Sequence, residues 1–104
     1  MDEINNVIIA LSKSVPGATI GQHLNHINLL VGKKVFGFIR KDGLVLKLPQ
    51  ETIKKILNGS TIIRLVMGKK EMKEWVIIAH QNPEEYKKDL SLLKESAAFV
   101  SAKN

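Results

Sequence analysis

The sequence predicts an α+β fold in which an antiparallel sheet of about five strands packs against an amino-terminal helix, a short central helix and a carboxy-terminal helix. Apolar residues recur at helical spacing near both ends of the chain, whereas the middle consists of short apolar or β-branched segments between turn residues. Asp42-Gly43 between two such segments is a strong hairpin signal. Because the 104 residues contain no repeat and no linker, we expect one domain over residues 1–104.

Three helices are expected. An amphipathic helix is predicted over residues 2–14. Its apolar face consists of four residues at helical spacing, namely Ile4, Val7, Ile8 and Leu11. Pro49 can begin a short helix over residues 50–58, because proline is tolerated in the first helical turn. Asn82 followed by Pro83 is a capping signal for the carboxy-terminal helix.

Five strands are predicted between these helices. They cover residues 18–24, 35–40, 44–48, 61–67 and 72–80. Residues 27–31 form a further short apolar run. The segments around the turns at residues 32–34 and 41–43 are consistent with an antiparallel meander.

The aromatic residues are few and most of them are expected in the core. Phe36 and Phe38 are two residues apart in a strand, so we expect them to share one face. Trp75 has two interpretations. It is either a core residue between the sheet and the terminal helix, near Tyr86, or a partly exposed ring that stacks on a base or ligand. Only five Phe, Tyr and Trp residues exist, which disfavours recognition of single strands by base stacking.

The net charge of +6 is concentrated in one part of the chain. Residues 31–73 hold eleven Lys or Arg against Asp42, Glu51 and Glu71, a local net charge of +8, whereas the flanks together carry −2. A concentrated positive field attracts polyanions such as nucleic acid. The alternative is that the charge only aids solubility, as in many small basic domains.

Several classes of protein are disfavoured by composition. The chain has no cysteine, which excludes disulfides and thiolate metal sites. No apolar run approaches the roughly 20 residues of a membrane span. The first six residues are polar and acidic, unlike a signal peptide, so we expect a cytoplasmic protein without a membrane partner.

Histidines and carboxylates give weak signals for chemistry. His23 and His26 are three apart in a strand or turn region, where that spacing directs side chains to opposite faces, and His80 could join them only through the fold. Glu71 and Glu74 would also face opposite sides of a strand, beside lysines. We therefore predict no metal site and no cofactor.

No nucleophile is recognisable from its sequence context. The candidate serines lack a nucleophile elbow, and no glycine-rich loop matches a phosphate cradle. These serines are Ser12, Ser14 and Ser60. We predict that the protein is not an enzyme.

Two motifs carry a resemblance to a known family. Residues 43–49 read Gly-Leu-Val-Leu-Lys-Leu-Pro and residues 72–76 read Met-Lys-Glu-Trp-Val, with Phe36 and Phe38 before the first motif. From about residue 4 to residue 100 the chain resembles the TfoX amino-terminal domain and its MmcQ/YjbR-like relatives. The resemblance implies a curved antiparallel sheet with flanking helices and no enzymatic activity. It also implies a link to DNA, since relatives include part of a competence regulator and the fold is likened to a winged DNA-binding motif.

The chain departs from this family in one segment. Relatives usually carry a Gly/Pro-rich, Phe-containing loop between the short helix and the Trp75 strand. Residues 60–67 read instead as a regular β-branched strand. A binding role of that loop would not carry over to this chain.

The leading hypothesis is a small cytoplasmic domain with a regulatory role that contacts duplex DNA through phosphates, with low sequence specificity. The predicted contacts are the basic residues of three turns, Lys33, Lys34, Arg40, Lys41, Lys69, Lys70 and Lys73. The alternative is a protein-interaction or small-ligand-binding module with no nucleic-acid role. Residues 61–67 or 27–31 would then be an apolar edge strand, in a monomer or weak homodimer.

Overall fold

The computed structural model describes residues 3–23 and 26–102 and has the predicted α+β architecture. The helices are α1 (Glu3–Ser12), α2 (Gln50–Ile56), a 3-10 helix (Pro83–Asp89) and α3 (Leu90–Ala102). The strands are β1 (Ala18–His23), β2 (His26–Val31), β3 (Lys34–Arg40), β4 (Gly43–Lys47), β5 (Ile62–Met67) and β6 (Lys70–Ile78). The predicted ends at residues 2 and 24 lie outside the described residues.

The six strands form one curved, open, antiparallel sheet in the order β1-β2-β3-β4-β6-β5. Strands β1 to β4 are a meander, and β2 is the apolar run at residues 27–31. After β4, α2 carries the chain to the far edge as β5, and β6 then returns between β4 and β5. The segment that departs from the resembled family is therefore the edge strand β5.

The helices cover one face of the sheet and enclose the main core. This core contains Ile8 of α1, Leu93 of α3 and Leu46 of β4, and all three are fully buried. Ile53 of α2 belongs to the same core, and Thr52 of this helix donates a hydrogen bond to Glu95 of α3. In the part of the chain that the structure describes, no helix has the length and apolar character needed to cross a membrane.

The opposite face of the sheet, here called the open face, carries a smaller apolar cluster. Its buried members are Val45, Leu65 and Ile77. Three partly buried side chains pack against them, namely Phe38, Met72 and Trp75. Alternation along β4 explains the division, since Leu44 and Leu46 enter the main core while Val45 between them enters the cluster on the open face.

A β-bulge in β3 places Phe36 and Phe38 on opposite faces, so the expectation that they share a face is wrong. Leu29 pairs with Gly37 and Leu30 with Val35, which leaves Phe36 as an extra residue in β3. Phe36 is fully buried in the main core, whereas Phe38 lies on the open face.

A second irregularity bends the β5–β6 hairpin across the open face. Arg64 pairs with Val76, but Val66, two residues later, pairs with Glu71, five residues earlier in β6. In a flat sheet β5 would lie about 19 Å from β2, at four strand spacings. Instead the hairpin tip (residues 66–68) lines one groove together with residues of β2 and β3.

The carboxy-terminal helical segment begins at the predicted cap, but its first residues form a 3-10 helix rather than an α-helix. Asn82 caps it by accepting a hydrogen bond from the Glu84 amide at 3.0 Å, and Pro83 follows at the first position. Residues 83–89 form the 3-10 helix before α3 continues from Leu90. His80 at the end of β6 contacts this 3-10 helix, as described below.

Candidate functional site

The basic turns of the meander lie at opposite ends of β3. Lys33 and Lys34 stand at its beginning, and Arg40 and Lys41 at its end. Six residue steps in a strand separate these ends by about 20 Å. The two turns therefore cannot contact the same phosphate group, and the predicted basic residues form separate sites.

Arg40 is already paired with a carboxylate. Its Nε lies 3.1 Å from Oδ1 of Asp42, and its Nη2 donates to Oδ2 of Asp42 at 3.2 Å. Both side chains are partly exposed, so the pair adds little stability, but it offsets the guanidinium charge. The pair reduces the long-range attraction of Arg40 for DNA phosphates, whereas the guanidinium N–H groups that do not face Asp42 stay available for a direct contact.

Three lysines surround a groove beside Trp75, here called the lysine groove. Its volume is about 480 Å³, and it opens at the junction of β4, α2 and β6. The lining residues are Lys47, Gln50, Lys70, Met72, Lys73, Glu74 and Trp75. Lys70 and Lys73 are predicted contacts that the fold brings together, whereas Lys69 stands in the adjacent turn outside the lining.

Sequence analysis missed Lys47 as a member of this site. Lys47 and Trp75 are direct partners in the β4–β6 register, and Lys47 Nζ lies 5.7 Å from the centroid of the Trp75 ring. A cation at this distance is attracted by the face of the indole. Alternation along the strand places Val45 and Lys47 on one face, but only the pairing of β4 with β6 brings the tryptophan next to the lysine.

Trp75 does not lie between the sheet and the terminal helix. It is half-buried on the open face, with its ring centroid 5.8 Å from that of Phe38. Tyr86 belongs to the main core on the other side of the sheet. The interpretation of Trp75 as a residue beneath α3 is therefore wrong, and its partly exposed ring borders the lysine groove.

The lysine groove is suited to bind an anion. Lys47, Lys70 and Lys73 each present a flexible ammonium group, and Glu74 is the one acidic residue among the described lining residues. Ammonium groups act as point charges that attract phosphate without fixing its orientation. The geometry therefore favours electrostatic binding of a polyanion.

A separate, partly buried cluster forms around His80. The His80 Nε2 lies 2.8 Å from Oδ2 of Asp89, and its Nδ1 lies 3.4 Å from Oε2 of Glu85. The Tyr86 hydroxyl accepts a hydrogen bond from the His80 amide and donates one to the Ile78 carbonyl, both at 3.1 Å. Burial raises the pKa of Asp89, although the hydrogen bond and charge of His80, and the charge of Lys88, act in the opposite direction.

The His80 cluster links the end of β6 to the 3-10 helix through hydrogen bonds and ion pairs. The two ring nitrogens of His80 face different carboxylates, so Asp89 and Glu85 are not arranged to share a metal ion with it. Across the described ranges no group of three His, Asp or Glu residues is arranged to hold a metal. His23 and His26 belong to two strands that pair at these positions, so the spacing expected within one strand does not apply to them.

Comparison with protein-family models, with curated proteins and with solved structures found no match to this chain. The resemblance to the TfoX amino-terminal domain therefore stays a prediction. Function has to be argued from the geometry of the open face and its charges.

Proposed function

We propose that this chain is a non-enzymatic regulatory domain that contacts the phosphates of duplex DNA, with low sequence specificity, through Lys47, Lys70 and Lys73. The observation that supports the proposal is the grouping of these three lysines around one groove beside Trp75. The resemblance to a family linked to DNA points to the same partner. Lys69 in the adjoining turn extends the positive surface.

Phosphate contact is favoured over base recognition because of the side chains that are present. Lysines neutralise phosphates and release counterions, which gives affinity but no direct sequence information. Trp75 is partly covered by Phe38 and Met72, so its ring offers only part of a stacking face. Duplex DNA, whose phosphates are accessible while its bases are paired, suits such a surface better than single strands.

The test is fluorescence anisotropy with labelled duplex DNA, single-stranded DNA and duplex RNA, each titrated at several salt concentrations. We expect duplex DNA to bind more tightly than the other two. The triple variant Lys47→Gln/Lys70→Gln/Lys73→Gln should bind more weakly. The negative slope of log affinity against log salt should become less steep by about 2–3, since each phosphate contact contributes about 0.9.

A matched control removes the same charge elsewhere. Lys54, Lys55 and Lys94 are exposed and lie outside the lysine groove and outside the predicted DNA contacts, so their triple Gln variant changes the net charge equally. The proposal expects a smaller loss of affinity in this control. Equal losses in the two variants would show that net charge alone sets the affinity. An unchanged affinity in the groove variant would show that the lysine groove does not contact DNA.

A protein-interaction module is the second candidate, because β5 is an edge strand with exposed apolar residues. Ile63, Val66 and Met67 are each more than two-fifths exposed. An edge of this kind can pair with a strand of another protein or of a second copy. Light scattering at micromolar concentration tests self-pairing, since a monomer would count against it.

A further inference from the structure

A second groove lies between the hairpin tip and strands β2 and β3, here called the hairpin groove. Its volume is about 550 Å³, within the range of about 300–1,000 Å³ typical of small-molecule sites. The lining residues are His26, Asn28, Phe38, Arg40, Val66, Met67 and Gly68. None of them belongs to the lysine groove, so the two sites are distinct.

The two walls of the hairpin groove are apolar and suit a flat ring. On the sheet side, the rings of Phe38 and His26 are in contact, with centroids 5.6 Å apart. On the hairpin side, Val66 and Met67 are 53% and 55% exposed, the highest values among the large apolar residues that the structure describes. A ring inserted into the groove would cover part of this exposed apolar surface, and a methionine thioether packs well against aromatic rings.

The polar groups of the hairpin groove favour a negative charge on the ligand. Arg40 and Asn28 supply hydrogen-bond donors, and the described lining includes no carboxylate. Asp42, just outside the lining, accepts a hydrogen bond from Arg40 Nη2, and its Oδ1 lies 3.1 Å from Arg40 Nε, so two N–H groups face Asp42 and the guanidinium is held in one orientation. Three of the five guanidinium N–H groups remain to bind a ligand carboxylate.

We propose that the hairpin groove binds a small planar aromatic carboxylate. The ring lies between Phe38 and Met67, and the carboxylate lies at the Arg40 guanidinium. This site is independent of the proposed DNA contact, because it uses neither Trp75 nor the three lysines of the lysine groove.

The probe is 2-naphthoate, titrated into the ¹⁵N-labelled protein and followed by two-dimensional NMR. At about 0.3 kcal/mol per non-hydrogen atom, a ligand of this size should bind with a Kd of about 10⁻³ M. We expect the largest shifts at the amides of Phe38 and Gly68. Neutral 2-naphthamide and the non-aromatic cyclohexanecarboxylate should each bind at least about tenfold more weakly, because one lacks the charge and the other the flat ring.

Two variants test the two parts of the site, each with a matched control. Met67→Gln removes the apolar wall, and Ile63→Gln makes the same change at an exposed position of β5 outside the groove. Arg40→Gln removes the guanidinium, and Lys41→Gln removes an equal charge in the adjoining turn. We expect about tenfold weaker binding in the first member of each pair, and a change of less than about twofold in its control.

Four results would overturn the proposal. One is the absence of shifts with 2-naphthoate up to about 10 mM, ten times the expected Kd. The second is a set of shifts centred on Lys70 and Trp75, and the third is an equal affinity for 2-naphthamide. The fourth is a dimer in light scattering that Met67→Gln dissociates, which would make the hairpin tip an interface between two copies.

Discussion

Phe36 and Phe38 lie on opposite faces of the sheet although a single residue separates them. The bulge at Phe36 reverses the alternation of β3, because Phe36 has no partner in the β2 register. Gly37 makes the reversal feasible, since a Cβ at this position would lie 2.6 Å from the Val45 carbonyl oxygen. The same bulge sends one phenylalanine to the main core and the other to the wall of the hairpin groove.

Truncation of the two phenylalanines should have unequal effects on stability. Phe36 is fully buried, so Phe36→Ala should lower the free energy of unfolding by about 3–5 kcal/mol. Phe38→Ala removes a partly buried ring and should cost about 1–2 kcal/mol, since less apolar area returns to water. Urea unfolding measures both values, and equal losses would contradict the assignment of the two rings to different environments.

Removal of the Ser96 hydroxyl should destabilise the bulge. Ser96 Oγ donates a buried hydrogen bond of 2.8 Å to the carbonyl oxygen of Phe36. Phe36 is the extra residue of the bulge. Ser96→Ala should cost about 1–3 kcal/mol, because the carbonyl is left without this donor in the core. Ser91→Ala on the exposed side of the same helix is the control and should change stability by less than about 0.5 kcal/mol. A similar loss in both variants would refute the role of this bond.

The buried Asp89 should give stability a dependence on pH. Burial raises its folded pKa above the ordinary value of 3.8, so the folded state binds a proton more tightly than the unfolded state. Its contribution to stability is therefore complete below pH 3.8 and is lost as the pH rises through the folded pKa. Asp89→Asn should flatten this part of the curve of unfolding free energy against pH. At pH 7 this variant should be at least as stable as the unsubstituted protein.

A second substitution separates the charge of Asp89 from its hydrogen bond. Asp89→Ala leaves His80 Nε2 without its 2.8 Å partner and should cost about 1–3 kcal/mol at pH 7. Chemical denaturation at intervals from pH 3 to pH 8 measures both variants. An unaltered slope in Asp89→Asn would assign the pH dependence to other groups.

The elements of the fold were predictable because they depend on local periodicity. α1 ends at Ser12 rather than residue 14, and β6 covers residues 70–78 rather than 72–80, which are shifts of two residues. The bulge at Phe36 was not predictable from the strand pattern, since alternation in β3 reads as continuous. It arises from the pairing with β2 and from the close approach of β4 at Gly37.

The candidate sites were only partly predictable because they depend on contacts distant in sequence. Lys70 and Lys73 were recognisable as a basic segment beside Trp75, but Lys47 joins them only through the insertion of β6 next to β4. The pairing of Arg40 with Asp42 is close in sequence, yet its geometry depends on the turn between β3 and β4. The hairpin groove requires the bend of β5 and β6, which no local pattern indicates.

The insertion of β6 between β4 and β5 has a consequence for how the chain folds during synthesis. The meander from β1 to β4 consists of neighbouring hairpins, so its strands can pair as soon as they leave the ribosome. The other edge of β4 stays unpaired until β6 is synthesised, about thirty residues later. Until then Leu44 and Leu46 are paired only with β3 and lack both their partners in β6 and the cover of α3. At roughly 5–20 residues per second this exposure lasts for seconds, and the nascent chain is most vulnerable to aggregation in that interval.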